Sequence, residues 1–280
     1  MVARGSQLRI GVSVALGMLC ASAAVGDGPL FPGAQYPVGD GPHSVAIGDL
    51  DGDQAPDLAV ANFGSDNVSV LLGLGDGTFA GAVNYAAGNG PYSVALGDLD
   101  GDEAPDLAVA NEVSGNVSVL LGLGDGTFAA AVHYAVGNVP HSVGIGDLDG
   151  DQVPDLAVAN YDSANVSVLL GVGDGTFAAA VHYGAGSGPF SVAIGDLDGD
   201  GWLDLAVANT DSHNVSVLLN QSAIPGDLNG DGCVDHADLG IFLSDWGCTA
   251  GECPGDCDGD GDTDQDDLAI LLAHWGAGCP

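Results

Sequence analysis

The chain has 280 residues, 46% of them hydrophobic, with 39 Asp or Glu against 2 Lys or Arg and a formal net charge of −37. That much apolar material excludes a disordered acidic chain and leaves room for one or two packed domains. The charge argues against nucleic acid and anionic membranes as partners, since both are held by basic residues.

The two basic residues, Arg4 and Arg9, precede an apolar run, Ile10–Leu19, and then the small-residue stretch Cys20–Gly26. This is the order of a secretory signal peptide over residues 1–26, with cleavage between Ala23 and Gly26. The run is too short to span a membrane as a helix. The expected mature chain is secreted, extracellular or attached at a cell surface. It holds all 39 acids with no Lys or Arg to oppose them, a formal charge of −39. Divalent cations are the missing counter-charge.

"GDLDGDQAPDLAVAN" runs from Gly48 to Asn62 and returns at Gly97, Gly146 and Gly195, every 49 residues. A fixed long period marks a repeat architecture. The second copy predicts three strands, Ser93–Leu99 (a), Asp106–Asn111 (b) and Asn116–Gly122 (c), preceded by Thr78–Gly88 (d). Strand b is apolar on both faces, as stacked blades require. The prediction is a mainly β fold, a small β-propeller, four-bladed or partial, over residues 27–222. The segment Leu30–Gly39 matches strand d with one residue fewer, and the last copy stops after strand c at Asn220. The N-terminal segment could therefore complete the fourth blade and close the ring. An open arc, or two chains sharing a larger ring, are the alternatives.

The repeated aspartates fall at loop positions 1, 3, 5 and 9. They are Asp49, Asp51, Asp53 and Asp57, then Asp98, Asp100, Asp102 and Asp106. The third set is Asp147, Asp149, Asp151 and Asp155, the fourth Asp196, Asp198, Asp200 and Asp204. Alternate carboxylates with a carbonyl at position 7 (Ala55, Ala104, Val153, Trp202) form the oxygen set of a calcium loop. Carboxylates about 4 Å apart repel by about 1 kcal/mol per pair even at water's dielectric, so calcium is the expected partner. The pattern resembles the FG-GAP (VCBS-type) repeats of integrin-like propellers over Leu30–Asn220. In that family the loop joins strands a and b, and position 6 is usually Gly. Here Gln54, Glu103 and Gln152 hold position 6, and Gly201 alone conforms.

Composition changes near "NQSAIPGD", and a second repeat of period 29 follows, Gly226–Gly247 and Gly255–Gly276. Asp227, Asn229, Asp231, Asp235 and Asp238 take positions 1, 3, 5, 9 and 12 of the first loop. Asp256, Asp258, Asp260, Asp264 and Asp267 take those of the second. Gly232 and Gly261 sit at position 6, where the sharp turn falls. Each loop runs into an amphipathic helix, with Leu239, Phe242, Leu243 and Trp246, or Leu268, Leu271, Leu272 and Trp275, at i, i+3, i+4 and i+7. Loop-then-helix, twice, resembles a type I dockerin over residues 225–280. The resemblance implies a cohesin-like partner. A calcium-stabilised cap without a partner is the alternative. The expected load is about six Ca2+ ions in all.

Five cysteines follow the predicted cleavage site, Cys233, Cys248, Cys253, Cys257 and Cys279, all in the tail. They fit an oxidising compartment, and their pairing stays open among fifteen possibilities. The "NVS" asparagines Asn67, Asn116, Asn165 and Asn214 match a glycosylation sequon but recur with the repeat, which favours a turn role. His43, Tyr92, His141 and Phe190 share one repeat position before strand a. A position that accepts all three residue types is an aromatic surface rather than a base or metal ligand, and could stack on sugars. No nucleophile elbow, zinc-protease helix or phosphate-cradling loop appears, so no catalytic residue is assigned. The expected function is binding or adhesion: the propeller takes extracellular polysaccharide or a surface protein, and the tail anchors it. A calcium-dependent polysaccharide-degrading enzyme and a purely structural matrix protein are the alternatives.

Overall fold

The computed structural model describes residues 33–220, 228, 234–249, 253–257 and 263–276. The predicted signal peptide, Leu30–Pro32, and the tail positions Asp227, Asn229, Asp231, Asp258 and Asp260 lie outside the described residues, as do Cys233 and Cys279. Residues 33–35, the described part of an N-terminal unit, carry no regular structure. The unit from Tyr36 onward holds every strand and helix described below.

The first sheet is β1 (Pro42–Gly48), β2 (Asp57–Asn62), β3 (Asn67–Leu71) and β4 (Val83–Ala86), antiparallel and in chain order. The second is β5 (Pro91–Gly97), β6 (Asp106–Asn111), β7 (Asn116–Leu120) and β8 (Val132–Ala135). The third is β9 (Pro140–Gly146), β10 (Asp155–Asn160), β11 (Asn165–Leu169) and β12 (Val181–Gly184). The fourth has three strands, β13 (Pro189–Gly195), β14 (Asp204–Asn209) and β15 (Asn214–Leu218). Two helices follow, α1 (His236–Asp245) and α2 (Gln265–Ala273). The protein is mainly β, built from repeated up-and-down blades.

Strand b has the predicted bounds in every blade, and β6 and β10 are buried along their whole length. The apolar run Leu-Ala-Val-Ala fills the space between two sheets about 10 Å apart. Strand d is shorter than predicted. Only four residues pair, because Phe79, Phe128 and Phe177 make isolated bridges to Gly73, Gly122 and Gly171 instead of continuing the ladder.

The cores lie between consecutive sheets. One joins Val68, Val70 and Ala59 to Val94, Leu107 and Val109. A second joins the second and third blades, and a third joins the third and fourth. A hydrogen bond repeats at each junction. Val94 N–H donates to Ser44 Oγ (3.3 Å), Val143 to Ser93 (3.4 Å) and Val192 to Ser142 (3.3 Å).

Among the described residues the ring is not closed, and the propeller is partial. Among them the fourth sheet has no strand d, and no core joins it to the first. The facing sides of the first and fourth blades stay apart, leaving Val45 and Val215 exposed, although the N-terminal segment lies on the first-blade side where a closing strand would. Tyr36 packs edge-on against Phe79 (5.3 Å), and Gly39 N–H donates to Ser69 Oγ (3.1 Å). These repeat the contacts of Tyr85 with Phe128 and of Gly88 N–H with Ser118 Oγ. The segment therefore stands before the first blade as a strand d would, with no pairing to β15 among the described residues.

Candidate metal centre

Strand b opens on the ninth loop residue, and Asp57, Asp106, Asp155 and Asp204 are all buried. Each carboxylate accepts two backbone N–H groups. Asp57 takes Leu50 and Gly73 (both 2.6 Å), and Asp106 takes Leu99 (2.6 Å) and Gly122 (2.7 Å). Asp155 takes Leu148 and Gly171 (both 2.7 Å), and Asp204 takes Leu197 (2.8 Å) and Asn220 (2.7 Å). One side chain thus ties the second loop residue to the end of strand c. Sequence reading assigns these residues as ligands and misses this clamp, since backbone donors leave no trace in residue identity.

The other carboxylates fold the loop around themselves. Asp49 accepts N–H bonds from Gly52 and Gln54 (both 2.8 Å), Asp51 from Asp53 (3.2 Å), and Asp53 from Ala55 (2.7 Å). The other three loops repeat this pattern. Position 6 is left-handed in all four, with φ of 70° at Gln54, 71° at Glu103, 70° at Gln152 and 93° at Gly201. The loop keeps its course where the glycine is missing, at a cost of about 1–2 kcal/mol for each side chain forced there.

Carboxylate oxygens converge within 4.8 Å in each loop: Asp49, Asp51 and Asp53; Asp98, Asp100 and Asp106; Asp147, Asp149 and Asp155; Asp196, Asp198 and Asp204. Asp102, Asp151 and Asp200 sit in the same loops, each accepting the N–H two residues on. Desolvation first, and then the charges of Asp102 and Asp98, hold Asp100 above the ordinary carboxylate range; Asp149 is raised in the same way. Burial pushes Asp106 up to about 6 despite its two N–H donors. No Lys or Arg stands among the described residues to relieve this. All the donors are hard oxygens, the set that Ca2+ takes. The residues fit that ion.

Residues 49–109, 98–158 and 147–207 match the profile of the FG-GAP-like repeat. The chain belongs to the FG-GAP-like repeat family. Among solved structures it is similar to BBS1N in complex with ARL6DN (15% identity, TM-score 0.46), covering 64% of this chain and 58% of that one. It is also similar to an Agrocybe aegerita lectin described as recognising non-reducing terminal N-acetylglucosamine (25%, TM-score 0.43, 64% and 52%). A third is a functionally unknown protein from Desulfotomaculum acetoxidans (15%, TM-score 0.44, 64% and 55%). This FG-GAP chain spans less than two thirds of each of these structures. No curated protein matches it.

Beyond the FG-GAP repeats, the described part of the tail shows a second use of acids. Asp235 caps α1 and Asp264 caps α2, each in a reciprocal capping box with the aspartate three residues on. Those partners, Asp238 and Asp267, are buried, and each also accepts a loop N–H, from Leu228 (2.8 Å) and Cys257 (2.7 Å). The halves interlock: Gly276 N–H donates to Val234 and Gly247 N–H to Thr263, both at 2.9 Å. Val234, Phe242 and Leu271 form the core, with Leu239, Leu268 and Trp202 packed against it. The predicted apolar stripe is only half used. Leu243, Leu272, Trp246 and Trp275 are exposed, and each Trp lies past the end of its helix. Cys248 and Cys253 form a disulfide.

The shared aromatic position converges. His43 stacks on Phe63 (4.9 Å), Tyr92 on His141 (4.4 Å), and Phe190 meets His141 edge-on (4.9 Å). These rings spend much of their area on one another, while His43 and Phe190 stay exposed. His141 Nε2 lies 3.3 Å from Glu112, yet burial holds this histidine below its ordinary pKa. Sequence reading missed Glu112, Phe63 and Tyr161 as members of the cluster; the position shared by Phe63 and Tyr161 was the available signal. The sequon asparagines serve turns, Asn67 Oδ1 accepting Asn62 Nδ2 (2.8 Å) and its three equivalents doing likewise. No described helix is long and apolar enough to cross a membrane.

Proposed function

We propose that this chain is an exported, calcium-loaded binding module and not an enzyme. Four carboxylate clusters at one repeat position, with no Lys or Arg nearby, carry the reading. Bound Ca2+ would supply positive charge and draw the loop oxygens together. The residues holding it would be the loop aspartates at positions 1, 3, 5 and 9, and in the tail Asp235, Asp238, Asp256, Asp264 and Asp267 with their partners outside the described residues. The FG-GAP blades offer a rigid surface for extracellular polysaccharide or a surface protein. The duplicated loop-helix tail is suited to docking on a cohesin-like partner, and its exposed Leu243, Leu272, Trp246 and Trp275 support that role.

Native mass spectrometry with a thermal melt tests the calcium reading. About six ions should bind, and at a hundredfold excess over Kd each site adds about 2.7 kcal/mol. A melting curve that calcium leaves unmoved would overturn it. For the tail, the full chain is used as bait against secreted and surface proteins, with calcium and with chelator. Capture of a cohesin-like protein that needs calcium supports docking; no capture by the folded chain reduces the tail to a cap.

A further inference from the structure

The two ends of the blade array are complementary. Val94, Val143 and Val192 on the inner strands are buried at 7%, 7% and 8% exposure, but their equivalent Val45 is 58% exposed. Val68, Val117 and Val166 on strand c are fully buried, but their equivalent Val215 is 62% exposed. Each end thus shows a face that is covered at every internal junction. The junction hydrogen bond is also split. Ser191 holds the acceptor position on the last blade and Val45 the donor position on the first, with no neighbour beyond either among the described residues.

The missing strand follows the same logic. Among the described residues β15 has no strand d, while the segment carrying Tyr36 and Gly39 occupies a strand-d position ahead of the first blade. Tyr85 and Tyr134 each pack on the phenylalanine of the following blade. Tyr183 has no such ring partner among the described residues. Beside it opens a cavity of about 540 Å3, lined by Leu148, Val168, Leu203, Leu205 and Leu218. The same copy's N-terminal segment is committed to the first blade, which does not pack on the fourth among the described residues.

We propose that the open array closes with a second copy of this chain, head to tail. The first blade of each copy covers Val215 and the β15 edge of the other, and its N-terminal segment adds the absent outer strand. A head-to-tail contact makes a ring if its rotation closes and a filament if it does not. Two copies give eight blades, at the top of the range of about four to eight that propellers use, whereas three would exceed it.

Light scattering on the 280-residue chain in calcium should give twice the chain mass. Val45→Glu and Val215→Glu should each reduce it to one chain with an unchanged far-ultraviolet spectrum, since both side chains are exposed within a copy. Val166 pairs with Tyr183 across β11 and β12, so Val215 should face Tyr36 of the second copy. Tyr36→Cys copies mixed with Val215→Cys copies should form a two-chain disulfide species. A single-chain mass at every concentration overturns the proposal. So does a ladder of higher masses, or the double variant bridging within one chain.

Discussion

The blade loops and the tail loops start alike and finish differently. Both place oxygen-bearing side chains at positions 1, 3 and 5, all of them Asp except Asn229 in the first tail loop. In the first blade "APDLAVAN" follows, and Pro56 leads into an apolar strand opened by buried Asp57 and carrying Val60. In the tail, "CVDHADL" follows, and Asp235 with Asp238 form a capping box that starts a helix. In each case a buried carboxylate pins the second loop residue, by position 9 in the blades and position 12 in the tail. The acids at the front of the loop therefore do not decide the secondary structure; the residues after position 7 do.

Removing the clamp is the strongest way to break this parallel. Asp106→Ala leaves two buried N–H groups without partners and should cost about 2–6 kcal/mol. Asp267→Ala should instead melt the helix pair and leave the β signal intact. Denaturant titration followed by circular dichroism separates the two, and equal loss of both signals would mean that tail and blades unfold as one.

Removing only the cap is milder. Asp264→Ala should cost about 1 kcal/mol, read as lower helicity and faster amide exchange in α2. No comparable effect is expected from the equivalent change at Asp51, whose single N–H bond lies in an exposed turn. A larger loss at Asp51 in chelator than at Asp264 would contradict the division of roles.

His141 provides a control distant from the loops, because it stands at the start of β9 and the loop follows its end. Its pKa is held low by burial, so near pH 6.5 the folded state binds fewer protons than the unfolded one. Stability should therefore fall as pH drops through about 6.5. His141→Tyr, the residue of the second repeat, should flatten this slope equally with calcium and with chelator. A slope that vanishes with calcium would link the aromatic cluster to the loops.

The smallest effect tests loop strain. Gln152→Gly relieves a left-handed side chain but frees the unfolded chain, for a net gain of about 0.5 kcal/mol. Asp149→Gly should give no such gain. Paired thermal melts decide it.

Strands b and c were legible because apolar runs bounded by Asp and Asn recur at one spacing. Strand d was read too long, since nothing in "TFAGAVNYAAG" announces that Phe79 bridges and only Val83–Ala86 pairs. Failure to close was not legible, because closure depends on the angle between sheets, which many contacts set together. The pairing of Tyr36 with Phe79 was within reach, had the recurring Phe and Tyr positions been matched across repeats. The aspartates were found as a group, but a charge count cannot separate one that clamps two strands from one that faces solvent. In the tail the helical spacing was sound, yet spacing alone does not reveal that a small core covers Phe242 and leaves Leu243 in water.

Each blade packs on its sequence neighbours and carries the same face forward. Such an array can be assembled in the order in which it is synthesised. A completed blade offers the next a finished template, so the chain need not wait for its far end before burying its middle. One apolar face stays open to water throughout that growth, and a partner or chaperone met early would find it at every stage.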